Sequence, residues 1–183
     1  MTRILPTIGL LSLLLMVTAL AAGLSIGELH QLPVSQDTLL WASVHRLTGV
    51  AAALAVVFVE CIIVTYFIGT SRWCKEVVET YQFDPELVRE SNRLKRRTFP
   101  WALAGMLAVI GVSSLGAAAD PTASGVLERQ SWTDWHLIGA LVGVVFIAWT
   151  YIVAWNHVVA NQAIIERLVA QVQQVRRERG LEP

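Results

Sequence analysis

Long apolar runs alternate with polar stretches along the chain, and the apolar runs cover residues 4–24, 47–70, 99–119 and 137–155. Each is long enough to cross a hydrocarbon core of about 30 Å at about 1.5 Å per residue. In lipid a segment must satisfy its own backbone polar groups, so each run predicts a membrane-spanning helix. The expected fold class is an all-α membrane protein, a single four-helix domain over 1–183. Its transmembrane segments are expected at 4–24, 44–70, 99–119 and 135–157.

The polar stretches are patterned too. Helical character continues past the second run through Cys74-Lys75-Glu76-Val77-Val78-Glu79 and breaks at Gln82-Phe83. Asp84-Pro85-Glu86 offers a cap, a first-position proline and a first-turn acid, so a new helix is expected there. The pattern thus predicts a helical hairpin over 71–98, its second arm ending in Lys95-Arg96-Arg97, with Pro100 opening the third span. Gly105, Gly111, Ser113, Ser114 and Gly116 give that span a small-residue surface for close packing. The fourth run continues as a helix over 158–179. There Ile165, Leu168, Val172 and Val175 form a short seam, expected to pack on the hairpin or on a partner subunit. Residues 25–40 and 120–131 read as loops.

Composition supports a membrane class: mean hydropathy is +0.55 and 55 % of residues are hydrophobic. The zero net charge hides an asymmetry. Of the 14 Lys and Arg, all but Arg46 and Arg129 lie in the N-terminal tip, the 71–98 stretch or the C-terminal tail. By the positive-inside bias, these three regions face the cytoplasm, most simply of a bacterial inner membrane. The basic stretch is expected to set topology and touch anionic lipid; nothing specific points to nucleic acid. Residues 1–23 have the shape of a signal peptide, but the repeat described next favours a retained helix. Cys61 and Cys74 suggest no disulfide, and no Cys-x-x-Cys-His motif is present for covalent haem attachment.

The chain reads as two tandem two-helix units. Pro6 before an apolar run ending A-L-A-A-G matches Pro100 before a run ending L-G-A-A-A, and Trp41-x3-His45 matches Trp132-x3-His136. Thr48 and Ala52 follow His45 at +3 and +7, as Gly139 and Gly143 follow His136, all on the histidine face of their helix. Two imidazoles at equal depth suit the axial positions of a haem b, with a porphyrin lying against the small residues. Arg46 is placed to meet a propionate, and Trp41, Trp132 and Trp135 to wall the site. The plain alternative is that Gly139-x3-Gly143 packs helices and each histidine hydrogen-bonds across an interface. A lone copper or zinc ion would need further ligands, for which only Asp134, Glu28, Asp37 and His30 are near.

Glu60 is the only charged residue of the second run, and Tyr151 is its counterpart in the repeat. A carboxyl in apolar surroundings is costly, so the pair is a candidate proton or quinone site; the alternative is a protonated Glu bonded to a neighbouring helix. His157 reads as an interfacial residue. No nucleophile with a base, no phosphate loop and no thiolate metal motif appears, which argues against hydrolysis and phosphotransfer. The layout is similar to that of four-helix membrane cytochrome b subunits in general. This implies a b-type haem subunit for electron transfer or quinone chemistry, working with other membrane or redox subunits. The rival is a cofactor-free scaffold with a cytoplasmic docking helix.

Overall fold

The computed structural model describes residues 1–27, 29, 33–120 and 130–181, except for the side chains at 130 and 131. Glu28 and His30 therefore lie outside the described residues. Four α-helices make up the fold: α1 (Ile4–Leu24), α2 (Gln36–Tyr81), α3 (Glu86–Ala119) and α4 (Gln130–Glu178). All four contain stretches long and apolar enough to cross a membrane. Each packs on the next in sequence, and α4 closes the bundle against α1.

Two boundaries differ from expectation. The 25–40 stretch is not all loop, because α2 begins at Gln36. Ser35 caps it, accepting from the Thr38 N–H at 3.1 Å, and Asp37 adds a first-turn acid. The second departure is larger. The arm ending at Arg97 and the third span are one continuous helix, with Pro100 inside it. A proline removes one intrahelical bond, leaving the Arg96 carbonyl without its usual partner. That carbonyl lies where the charged segment meets the apolar one and Arg96 is exposed, so polar groups at the membrane surface can meet it. Packing on both sides of the proline then carries the helix through.

The break at 82–85 is as expected. Gln82 adopts a left-handed conformation (φ 58°) and ends α2. Asp84 Oδ1 accepts from the Glu86 N–H at 2.9 Å and starts α3. Tyr81 and Phe83 stack across the turn, 5.5 Å between centroids.

The main core holds Val56, Ile63, Phe67, Ile147 and Val158, each fully buried. Large apolar side chains such as Leu11, Phe58, Leu103 and Val145 instead face outward, an arrangement suited to a lipid solvent. A second, smaller core joins Cys74 and Val78 of α2 to Leu168 of α4, with Ile165 and Leu87 against it. The α4 extension thus packs on the α2–α3 hairpin within the chain, and Arg167 reinforces it with a 2.7 Å ion pair to Glu90. Burial pushes the Cys74 thiol up, so it stays protonated and unreactive.

Candidate functional site

The two histidines come together. The rings of His45 on α2 and His136 on α4 lie 5.8 Å apart between centroids, with their planes at 72°. Each is pinned from the neighbouring helix of its own hairpin. His45 Nδ1 lies 2.8 Å from the Ala19 carbonyl on α1, and His136 Nδ1 lies 3.2 Å from the Val112 carbonyl on α3. A carbonyl oxygen only accepts, so Nδ1 of each ring carries the hydrogen and donates it. In the neutral ring that leaves the Nε2 lone pair bare, the tautomer a metal-ligating histidine adopts.

The seats beneath the rings are glycines that reasoning along the histidine helices missed. A Cβ at Gly23 would lie 2.9 Å from Cε1 and Nδ1 of His45, and one at Gly116 would lie 2.9 Å from Cε1 of His136. Each glycine follows the accepting carbonyl residue by one helical turn.

These observations allow a test of the haem expectation. Imidazole nitrogens bind a transition metal at about 2 Å, so two rings on opposite sides of one iron have centroids about 6 Å apart. The observed centroid spacing is of that order, and the tautomers leave both Nε2 lone pairs uncommitted. The small-residue faces do not act as a porphyrin cradle, however. A Cβ at Gly139 would meet Leu115 at 2.9 Å and one at Gly143 would meet Val112 at 3.0 Å. Both glycines bring α4 close to α3, and Gly143→Leu should wedge these helices apart with a fall in thermal stability. Thr48 bonds back to the Val44 carbonyl at 2.8 Å, and Ala52 is buried in the core. Arg46 pairs with Asp120 at 2.9 Å, tying α2 to the end of α3. Trp41, Trp132 and Trp135 are exposed on the outer surface, where they suit the membrane interface rather than the walls of a site. Among the described residues, Asp37 and Asp134 included, no three His, Cys, Asp or Glu side chains group to hold a metal ion.

Glu60 and Tyr151 are placed alike, each hydrogen-bonded to a different neighbouring helix. Glu60 is fully buried, its carboxyl lying against Gly105 of α3, and its Oε1 is 2.9 Å from Thr150 Oγ1 on α4. Its Oε2 has no partner. Thr150 Oγ1 is also 2.8 Å from the Ile147 carbonyl, and a hydroxyl has one hydrogen for two oxygens. A protonated Glu60 satisfies both contacts. Tyr151 meets α1 instead, its hydroxyl 3.0 Å from Ser12 Oγ, which bonds back to the Gly9 carbonyl. Both side chains are enclosed by helices.

A further buried network joins α2, α3 and α4. Asn161, fully buried, accepts from Ser91 at 2.9 Å and donates to Tyr66 at 3.2 Å and to Thr70 at 3.0 Å. Beside it, His157 Nδ1 is 2.8 Å from Thr98 Oγ1. Replacing Asn161 with Leu strands several of these groups, and thermal unfolding in detergent should show a loss of about 1–3 kcal/mol. Nothing along the chain signals this network, since its members lie on three separate segments that read as ordinary polar positions.

No protein-family model, curated protein or solved structure matches the chain.

Proposed function

We propose that the protein is a membrane haem protein, holding one b-type haem through His45 and His136. It would serve as an electron-transfer or quinone-linked subunit of a larger complex. The observation that carries this reading is the imidazole pair itself: two rings 5.8 Å apart, each held through Nδ1 by a backbone carbonyl, each with Nε2 bare. Orienting a ligand's second nitrogen in this way is what raises its basicity and fixes its direction. A haem bound there supplies one-electron chemistry; the chain's part is to hold the two imidazoles in place.

The tandem-unit reading gains support from matched contacts. In each hairpin a histidine bonds a carbonyl one turn before a glycine seat. Glu60 of the first hairpin lies on Gly105 of the second, as Tyr151 of the second lies on Gly9 of the first. A pseudo-twofold axis along the membrane normal relates such units. The same reading puts both termini, the 71–98 hairpin and the 158–178 extension in the cytoplasm of a bacterial inner membrane, on the Lys/Arg bias. Reporter fusions after Asn92 and after Asp120 should then lie on opposite sides, and equal accessibility would refute this topology.

The decisive assay is a pyridine haemochrome measurement on pure protein from haem-replete cells, with about one haem per chain expected. Absence of haem sinks the reading. The cofactor-free scaffold is the second reading, favoured by the α3 side chains already packed over Gly139 and Gly143.

A further inference from the structure

The acidic side chains of the 71–98 hairpin are all paired. Arg72 bonds Glu76, Lys75 bonds Glu79, Arg89 bonds both Asp84 and Glu86, and Arg167 of α4 bonds Glu90. Arg93, Lys95, Arg96 and Arg97 remain, and among the described residues no carboxylate lies within ion-pair distance of any of them. Four cations thus stand uncompensated in little more than one turn of α3. A charge cluster of this density repels itself unless an anion joins it.

The cluster is also shaped. Arg89, Asn92, Arg93, Arg96 and Arg97 line a cleft of about 400 Å³ on one face of α3. Arg89 borders it with its charge already answered by Glu86 and Asp84. Asn92 adds an amide donor, and Arg93, Arg96 and Arg97 bring free guanidinium forks. Planar forks match the oxygens of a phosphodiester in a way that an ammonium does not. The position along the helix decides which phosphodiester. Pro100 and Trp101 follow within a turn and open the apolar span, and Trp101 is partly exposed, as an aromatic at headgroup level should be. The cleft therefore lies at the depth of lipid phosphates.

We propose that this face of α3 is a binding site for the headgroup of an anionic phospholipid, held by Arg93, Arg96 and Arg97. The site goes beyond the general affinity of a basic segment for a charged surface, because it is a particular cleft with particular forks.

The test uses the full chain purified in a neutral detergent, with thermal unfolding and native mass spectrometry as readouts. Phosphatidylglycerol should raise the unfolding temperature and stay bound in the gas phase, while phosphatidylcholine at the same concentration should do neither. Inorganic phosphate at that concentration should also leave the unfolding temperature unchanged. The triple variant Arg93→Gln, Arg96→Gln, Arg97→Gln should weaken phosphatidylglycerol binding by roughly tenfold or more, given the strength of single Lys/Arg contacts to anionic lipid. A tail variant, Arg176→Gln with Arg179→Gln, should leave it unchanged. If the glutamine triple fails to insert, the matching Lys triple keeps the charge and carries the test, with a severalfold loss expected because the forks are gone. Equal binding of phosphatidylcholine, an equal effect of free phosphate, equal losses in the tail variant, or full affinity in the Lys triple would each overturn the proposal.

Discussion

On the proposed haem reading, protein carrying His45→Ala or His136→Ala should lose the low-spin spectrum that two imidazole ligands give, and the two variants should lose it to the same extent. Each substitution leaves an iron with one imidazole and an open position, the condition for a high-spin spectrum or for loss of the group. Equality follows from the matched supports: each ring has one carbonyl partner and one glycine seat. Gly23→Ala and Gly116→Ala extend the test without touching a ligand. The added methyl meets the imidazole at 2.9 Å in both cases, closer than packed atoms approach, and the ring must shift off its carbonyl. Changes to groups that orient a ligand weaken metal binding by about 10–100-fold, and a comparable loss of haem affinity is expected here. Optical spectra and haem retention on gel filtration read all four variants. Normal haem affinity in Gly23→Ala and Gly116→Ala, with haem lost in the histidine variants, would show that ring position is not set by these seats.

The second large effect is expected at Gly105. A side chain there would run into the Glu60 carboxyl, which is fully buried between α2, α3 and α4. Gly105→Ala should destabilise the protein by about 1–3 kcal/mol, the usual cost of overpacking. Glu60→Ala should relieve the clash, so the double variant should be more stable than the sum of the two single effects requires. Thermal unfolding of the four proteins closes the cycle. Additive effects would mean that the carboxyl and the α3 backbone do not meet as described. Infrared spectra of Glu60→Gln add a second check: the protonated carboxyl of the native protein should give a carboxylic acid band that this variant lacks.

What could be read from the sequence depended on whether the signal ran along one helix or across two. The membrane spans, the break at Gln82 and the seam of Ile165 and Leu168 were legible, since each rests on local periodicity or local turn chemistry, but not that the hairpin rather than a partner subunit receives the seam. The pairing of His45 with His136 was legible as well, because a repeat reports on space as well as order. Pro100 misled the boundary of α3, since a proline is read as a start wherever a polar segment meets an apolar one. Gly139 and Gly143 were correctly tied to the histidine face. That face turns towards α3, so they pack a helix and do not leave a gap. Gly116 was read as a packing residue but not as a seat for His136, and Gly23 and Thr150 were overlooked, for a related reason. Their importance comes from the residue opposite, on a neighbouring helix, and no spacing within their own helix announces it.

The uninterrupted course of α2 has a mechanical consequence. Its 46 residues contain no joint between the turn that bears His45 and the tip at Tyr81. At about 1.5 Å per residue it is a rod of about 69 Å, far longer than the bilayer core is thick. A rod of this kind shares any change of inclination along its whole length. A bilayer that thins makes a long span lean further. The lean then appears at the far end as a sideways swing of the hairpin, several ångströms for a change of about 20° over the protruding turns. In this geometry any change in the inclination of the span moves the hairpin with it.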